Sequence, residues 1–310
     1  EAAADRLVSI APDAGHLVHM PSHIYWRLGR YEDAWRVNEL AAASDVAYLT
    51  WCRPIPFYAA LYLNHNLHFI WAAASTQGKS DQAITAARRL EANVPRDMIP
   101  QAPALEDFLS VPVLTLLRFG KFEAVLAEPK PAPELRYSIA MWHYARGVAL
   151  ARLARPGEAD AETAAFAAIA DDPAWETTIW VEGPLARRLD VARAHLAGEI
   201  AAARGDLPAA IAELEKAGAA QDKVNYMEPP AFYFPTRQAL GAVLLQAKRP
   251  ADAEAVYRKD LAQYPKNGWS LFGLQQSLAA QKKTAEARWA ERGFQEAWKG
   301  SDVSLKASRM

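Results

Sequence analysis

The sequence predicts an all-α protein in which about seven helix pairs stack into a superhelical solenoid. Its 310 residues are too many for one ordinary compact core but suit a repeat array. Apolar residues make up 51% of the chain, and alanine is abundant, as it is in helix-rich proteins. One short pattern recurs: a turn glycine followed by a small residue where the second helix of a pair crosses the first.

The pattern is clearest in Leu28–Ala34, Gln77–Ala83 and Arg204–Ala210. Looser copies are Phe119–Val125, Ala154–Ala159, Lys248–Ala253 and Lys282–Ala287. The crossing residues, at 34, 83, 125, 159, 210, 253 and 287, lie 49, 42, 34, 51, 43 and 34 positions apart. Two of these intervals equal the period of about 34 residues of the tetratricopeptide repeat, which the pattern resembles. This resemblance covers essentially the whole chain and implies a right-handed superhelix with a concave binding groove.

The other four intervals are longer, and their surplus falls between the second helix of one pair and the first helix of the next. It predicts insertions at about 51–63, 95–105, 172–188 and 222–233, all at one edge of the solenoid. Their prolines and aromatic residues favour ordered covers on the groove, with padding of the edge as the alternative. We therefore expect 172–188 and 222–233 to lie against the groove, with Trp180, Tyr226 or Phe232 partly buried.

The two ends of the sequence do not match complete repeats. Residues 1–10 are predicted to be the second helix of a repeat whose first helix is absent, and residues 1–300 to form a single solenoid domain. The polar segment 301–310 is predicted to fray. The sequence does not begin with methionine and Glu1 opens no signal peptide, which indicates a processed or trimmed N-terminus and leaves the compartment open.

Charge and cysteine content argue against several classes of function. Lys plus Arg number 35 and Asp plus Glu 36, so a net charge of -1 gives no electrostatic reason to bind nucleic acid or an anionic membrane. No apolar stretch approaches the roughly 20 residues that cross a bilayer. Cys52 is the single cysteine, which excludes an intramolecular disulfide and a thiolate metal cluster. Nor does the sequence contain a phosphate-binding glycine loop, a serine nucleophile elbow or a His-Glu-x-x-His pattern.

Histidines concentrate where the tetratricopeptide resemblance places the groove. In that repeat, positions 2, 5, 9, 12 and 13 of the first helix characteristically line the concave surface. With Gly29 and Gly78 taken as position 15, five of the seven histidines occupy positions 2, 5 or 9, namely His16, His19, His23, His65 and His68. Neighbouring helices pack roughly 8–10 Å apart, so imidazoles from both can reach one ion. We predict that at least three bring ring nitrogens to one point and bind a transition metal, Fe, Cu or Zn.

Several alternatives remain open for these histidines. The five could form a three-histidine site with spare neighbours, or hold two adjacent ions. A metal-free groove that hydrogen-bonds a peptide or an anion, and incidental surface histidines, are the other interpretations. Pro21 predicts a kink in the first helix; alternatively the helix begins at Pro21, and His16 and His19 lie in a loop.

Further side chains are predicted to bind a ligand or to support the ion: Trp26, Arg27, Glu182, Tyr226, Glu228 and Arg237. Trp26 and Arg27 occupy positions 12 and 13 beside the histidines. Glu228 could supply an oxygen ligand or a carboxylate bonded to a ligating histidine, with pairing to Arg237 as the alternative. His195 falls too many repeats away to join the ion. His143 is predicted to be a core histidine with its hydrogen bonds satisfied.

Four segments also resemble a group of bacterial tetratricopeptide-repeat proteins, namely Ala14–Tyr25, His65–Phe69, Glu228–Ala231 and Asn267–Leu274. Proteins of this group are often exported, which makes a periplasmic location one option. The resemblance implies a binding scaffold, typically for peptides. Two functions stay open. One is a non-catalytic scaffold whose groove holds a peptide, a protein or a small molecule, and the other is an Fe- or Cu-dependent oxidoreductase. An open coordination position would distinguish the enzyme from the scaffold.

Overall fold

The computed structural model describes residues 1–52, 58–180 and 183–310, and within these ranges the protein is all-α. A leading helix, α1 (Ala2–Ile10), is followed by helices that pack mostly in sequence as adjacent pairs. Two strands of two residues each, β1 (Ile179–Trp180) and β2 (Gly183–Pro184), pair antiparallel. They are the only strands among the described residues. Among the described residues, no helix has the length and apolar character that a membrane crossing requires.

The helices up to residue 127 are α2 (Gly15–His19), α3 (Pro21–Leu28), α4 (Tyr31–Cys52), α5 (Asn64–Thr76), α6 (Ser80–Asn93), α7 (Asp107–Arg118) and α8 (Phe122–Ala127). The remaining helices are α9 (Arg136–Arg152), α10 (Pro156–Ala170), α11 (Ala186–Ala203), α12 (Leu207–Gln221), α13 (Arg237–Gln246), α14 (Pro250–Gln263), α15 (Gly268–Ala280) and α16 (Thr284–Ala297). Shorter helical turns lie in the insertions, at Ala59–Leu63, Arg96–Met98, Pro103–Glu106 and Pro173–Glu176.

The turn glycines predicted from the sequence end the first helices of their pairs. Gly29 follows α3 with φ of +69°, and Gly78 lies between α5 and α6 with φ of +71°. Glycine adopts this left-handed conformation without the steric cost that a β-carbon adds. The turn at Gly29 is also a packing site, because a β-carbon there would lie 2.3 Å from the carbonyl oxygen of Pro265. A larger residue at this position is therefore disfavoured both by the backbone conformation and by overlap with Pro265.

The first helix of the first pair is divided at Met20. Pro21 is the first residue of α3, where its missing N–H costs no hydrogen bond, so the interpretation that begins a helix at Pro21 is correct. The loop expected before it is wrong, because His16 and His19 lie on α2. Met20 keeps helical dihedral angles, φ −51° and ψ −36°, between the two helices. The chain therefore bends without losing the helical spacing of its histidines.

Distant parts of the chain meet through a buried tryptophan. Trp269, on α15, is fully buried, and its indole Nε1 donates a hydrogen bond of 3.0 Å to the carbonyl oxygen of Ser75 on α5. The same indole packs in one apolar cluster with side chains of α5, α6 and α7. The C-terminal helices are thus joined to the second and third pairs, far away in sequence.

The segment 301–310, which was predicted to fray, is instead packed on the helices. The carboxylate of Asp302 accepts hydrogen bonds from the backbone N–H groups of Ser80 and Asp81, at 2.7 and 3.0 Å, and so caps α6. Ser308 is fully buried; its hydroxyl contacts the hydroxyl of Tyr257 at 2.6 Å and donates to the carbonyl oxygen of Gln238 at 2.7 Å. Polar side chains hold this segment because each has a specific partner.

Candidate metal centre

Three of the five predicted histidines meet at one point. His19 on α2 and His23 on α3 are one turn apart, and His65 comes from the neighbouring α5. One ring nitrogen from each lies within 4.8 Å of the other two. The ring centroids of His19 and His65 are 4.7 Å apart, and those of His19 and His23 are 4.8 Å apart. The prediction that at least three histidines converge is therefore confirmed.

Hydrogen bonds outside the cluster fix which nitrogens face inward. Nδ1 of His19 lies 2.7 Å from Oδ1 of Asn38. The amide nitrogen of Asn38 donates to the carbonyl oxygen of Ala34 at 2.7 Å, so its oxygen faces His19 and must accept. Nδ1 of His23 lies 2.7 Å from a carboxylate oxygen of Glu228, which also accepts. Both histidines therefore carry their proton on Nδ1 and keep the Nε2 lone pair free.

The two free nitrogens point at each other. Nε2 of His19 and Nε2 of His23 are 3.0 Å apart, although neither has a proton to share when both imidazoles are neutral. Two lone pairs at this distance repel one another unless a cation lies between them or one ring takes up a second proton. This arrangement is the most informative feature of the cluster.

Burial favours the neutral form of two of the three histidines, His19 and His65. It lowers the pKa of His19 to about 4, and the bond to Asn38 only partly opposes that effect. Burial also lowers the pKa of His65 well below its ordinary value, with a smaller contribution from the neighbouring histidines. Neutral imidazole is the form that binds a metal, so these two side chains are ready to coordinate at neutral pH.

An aromatic floor holds the three rings in place. The centroid of Phe69, fully buried on α5, lies 5.1, 5.0 and 5.1 Å from the centroids of His19, His23 and His65. Trp26 is also buried; its ring packs at about a right angle to that of Phe69, with the two centroids 6.0 Å apart. Trp26 was predicted to line the floor beside the histidines, and it does so through Phe69.

The insertion 222–233 reaches the cluster as expected. The carboxylate of Glu228 is buried against His23, and its second oxygen accepts a hydrogen bond from the hydroxyl of Tyr226. Tyr226 is 64% exposed, and the guanidinium of Arg27 lies 5.2 Å from its ring. Phe232 is buried. Glu228 thus faces a histidine from an element about 200 residues away in sequence.

The second insertion, 172–188, lies partly outside the described residues. Glu182 and the side chain of Trp180 lie outside the described residues. Trp175 is buried, and its ring packs 6.0 Å from that of Tyr137 on α9. No contact between this insertion and the histidine cluster is seen in its described part.

The remaining two predicted ligands do not join the three. His16 is exposed at the edge of the cluster, with its centroid 6.0 Å from His19 and 5.0 Å from Tyr62. His68 is buried, stacks on Trp71 at 5.2 Å and lies 5.4 Å from the ring of Phe108 on α7. The expectation that His68 lines the same site as His65 is wrong. Three residues along a helix turn a side chain by about 60° from its predecessor, which brings His68 against α7.

The other polar candidates have partners elsewhere. Arg237 pairs with Asp222 and does not pair with Glu228, so that alternative is wrong. His195 is buried and bonds through Nδ1 to the hydroxyl of Tyr144 at 2.9 Å, away from the cluster as expected. Asn38 was missed, although a polar residue on the face of α4 that packs against α2 was a signal available in the sequence.

A scan against protein-family models finds no match for this chain. A search of the curated proteins likewise finds no matching protein. The function is therefore inferred from the geometry of the cluster itself.

Proposed function

We propose that this protein binds one transition-metal ion through His19, His23 and His65. The observation that carries the proposal is the 3.0 Å separation of two Nε2 atoms whose rings both donate through Nδ1. A cation between the two lone pairs turns their repulsion into attraction. Ligating histidines characteristically donate the other ring N–H to a carboxylate or an amide oxygen, as His23 and His19 do.

The dimensions suit an ion of this class. With nitrogen–metal distances of about 2.0–2.1 Å, two ligands of a tetrahedral site lie about 3.3 Å apart. The ligand atoms lie within 4.8 Å of one another, so small rotations of the rings are enough to close the site. A set of three imidazole ligands suits Zn, Cu or Fe. Cys52, the single cysteine, is exposed and does not belong to the histidine cluster.

The coordination shell is incomplete with three protein ligands. The His23 side chain is 31% exposed and the neighbouring His16 is exposed, so solvent reaches one side of the ion. A position open to water or to a substrate is typical of catalytic sites, whereas structural zinc sites are closed by four protein ligands. This observation favours a metal-dependent enzyme as the second candidate, of which the Fe- or Cu-dependent oxidoreductase is one form, beside a scaffold that holds the metal for ligand binding.

The scaffold itself is proposed to be of the tetratricopeptide type. Helices packed as sequential pairs and left-handed glycines at the predicted turns support this. One group of a peptide or small molecule would enter a cavity of about 50 Å³ that Trp26, Arg27, Tyr226 and Tyr264 line near the histidine cluster. The aromatic rings would supply apolar contact, and Arg27 would supply a charge for an anionic group.

The direct test is metal analysis of protein purified without an affinity tag. We expect one ion per chain, and metal-free protein titrated with Zn²⁺, Cu²⁺ or Fe²⁺ should unfold at a higher temperature. Protein that holds no metal and gains no thermal stability from any of the three would contradict the proposal.

A further inference from the structure

A second group of buried charges lies between α7, α9, α11 and the C-terminal segment. It surrounds a cavity of about 30 Å³ lined by Arg118, Arg152, His195, Glu199 and Arg309. Arg118 comes from α7, Arg152 from α9 and Glu199 from α11, whereas Arg309 belongs to the packed segment 301–310. Four separate parts of the chain thus direct ionisable side chains toward one small space.

Positive charge exceeds negative charge around this cavity. Glu199 pairs with Arg309, and its second oxygen lies 3.7 Å from a guanidinium nitrogen of Arg152. Arg118 makes no ion pair with the described residues; it donates to the side-chain oxygen of Gln238 at 2.6 Å and lies 3.7 Å above the ring of Trp269. Three guanidinium groups therefore face one carboxylate.

The charge of Arg118 persists despite its burial. Burial lowers the pKa of Arg118 to about 9, which leaves the guanidinium protonated at neutral pH. Asp260 is the other acidic group whose field reaches it, and that carboxylate accepts hydrogen bonds from Ser270 and Gln238. Asp260 therefore raises the pKa of Arg118 at a distance, and both side chains bond to Gln238 and not to each other. Burying an uncompensated cation is costly, so an excess of this kind calls for an anion.

Two of the three unpartnered buried atoms around the cavity are nitrogens. Nε of Arg152 and Nε2 of His195 are buried without a hydrogen-bond partner among the described residues, and Nε2 of His195 lies 3.6 Å from a carboxylate oxygen of Glu199. The second oxygen of Glu199 is likewise buried without a hydrogen-bond partner in this part of the chain. The other ring nitrogen of His195 is occupied by Tyr144, whose hydroxyl also contacts that of Tyr233 at 2.9 Å. A buried polar atom with no partner is unfavourable, and a bound ligand can satisfy it.

The size and walls of the cavity limit the ligand. One water needs about 10–15 Å³, so 30 Å³ accommodates roughly two oxygen atoms, as in a carboxylate group. Guanidinium groups bind carboxylates through paired hydrogen bonds. The cavity is open toward solvent, so a short hydrocarbon portion can extend out of it past the apolar lining residues, which are Leu117, Phe122, Val148, Phe234 and Met310.

We propose that this cavity is a binding site for a small carboxylate ligand, such as a short-chain organic acid, held by Arg118, Arg152 and Arg309. The site is separate from the histidine cluster and does not depend on a metal. Because Arg309 and Met310 belong to segment 301–310, the ligand and this segment stabilise each other on the helices.

Calorimetric titration of the full chain with sodium acetate, at constant ionic strength set with sodium chloride, tests the site. We expect saturable binding in the wild-type protein and a rise in unfolding temperature. Arg118→Gln and Arg309→Gln should each weaken binding by roughly 10- to 100-fold, the loss expected for one charge-assisted hydrogen bond. Arg204→Gln, which changes an exposed arginine paired with Asp160, should leave binding unchanged.

Three controls identify the ligand and the location. His19→Ala should bind acetate as the wild type does; loss of binding in that variant would place the acetate on a metal and overturn the proposal. Phosphate binding in place of acetate would overturn the carboxylate assignment, and an equal effect of chloride alone would reduce the site to general screening. If Arg118→Gln does not fold by circular dichroism, Arg309→Gln decides, because Arg309 lies outside the helices, in the segment 301–310. Unchanged acetate affinity in Arg309→Gln would refute the site.

Discussion

Two histidine–glutamate pairs in this protein have nearly the same local geometry and different surroundings. His23 lies 2.7 Å from Glu228, and His143 lies 2.6 Å from Glu162, in each case through Nδ1. The carboxylate of Glu162 is shared with Arg146, whose Nε donates at 2.7 Å. The carboxylate of Glu228 has the neutral hydroxyl of Tyr226 as its other partner.

The two pairs differ in whether an arginine compensates the negative charge of the carboxylate. Burial raises the pKa of Glu162, but the hydrogen bonds from His143 and Arg146 outweigh it and hold that pKa below its usual value. An arginine thus compensates this carboxylate, which makes the pair structural. Among the described residues no arginine or lysine pairs with Glu228, and Nε2 of its partner His23 faces ring nitrogens of two other histidines. A histidine–carboxylate pair is therefore informative only when the far side of the ring is known.

Removing one ring from each region should give the largest contrast. His19→Ala leaves two histidines and should abolish stoichiometric metal binding, since the three nitrogens act as one site. His143→Ala should retain the metal and lose only packing and a hydrogen bond. Elemental analysis of the two variants, purified in parallel without a tag, measures this. Equal metal content in both would show that the cluster is not the site.

Changing the two carboxylates should give the next largest contrast. Glu228→Gln keeps the size of the side chain but removes the negative charge that orients His23, and should lower metal affinity about 10- to 100-fold. Glu162→Gln should leave affinity unaltered and reduce thermal stability instead. Competition titrations with a chromophoric chelator compare the variants. Equal changes of metal affinity in both variants would contradict the claim that Glu228, and not Glu162, supports a metal ligand.

Acid should destabilise the metal-free cluster by a predictable amount. The pKa of His19 is about 4 in the folded protein and near 6.5 in an unfolded chain. Between these values the unfolded state binds more protons, so the free energy of unfolding falls as pH is lowered from 6.5 toward 4. The contribution of His19 is roughly 3 kcal/mol when fully expressed.

Urea unfolding of chelator-treated protein at pH 7.5 and pH 4.5 measures this contribution. His19→Gln should show a smaller difference between the two pH values than the wild type, because the titrating group is gone. Identical pH dependence in the two proteins would mean that burial does not depress this histidine.

The smallest effect is expected at His68, which shares a helix with His65 but faces another neighbour. His68→Phe replaces one ring stacked on Trp71 by another of similar size, and removes a ring nitrogen that has no hydrogen bond among the described residues. We expect full metal occupancy and a change in stability below about 1.5 kcal/mol. Loss of the ion in this variant would return His68 to the site.

Much of the site could be predicted because helical spacing and turn glycines are local signals. The position of Gly29 placed His19 and His23 on one face, and Gly78 placed His65 on the neighbouring helix. The same assignment of repeat positions predicted His68 wrongly, because it gives the position of a residue along the helix but not the angle at which two helices cross. Glu228 was a candidate from its stiff, proline-rich insertion, yet the sequence could not show that it reaches His23.

The C-terminal segment shows the opposite limit. Its polar composition is typical of a frayed end, and the sequence carries no signal that Ser308 would be buried between Tyr257 and Gln238. Its place depends on contacts with helices distant in sequence, including the cap that Asp302 forms on α6. Such contacts depend on how helices distant in sequence pack on one another, which local patterns do not encode.

The hydrogen bond from Trp269 to Ser75 has a consequence for how the molecule opens. In a linear stack of repeats each end has a single neighbour, so unfolding begins at an end and spreads inward. Here α15 has a second partner, α5, near the start of the chain. Melting the C-terminal pairs must also uncover the helix that carries His65. The amide protons of α15 and α5 should consequently exchange with solvent at similar rates, as parts of one cooperative unit.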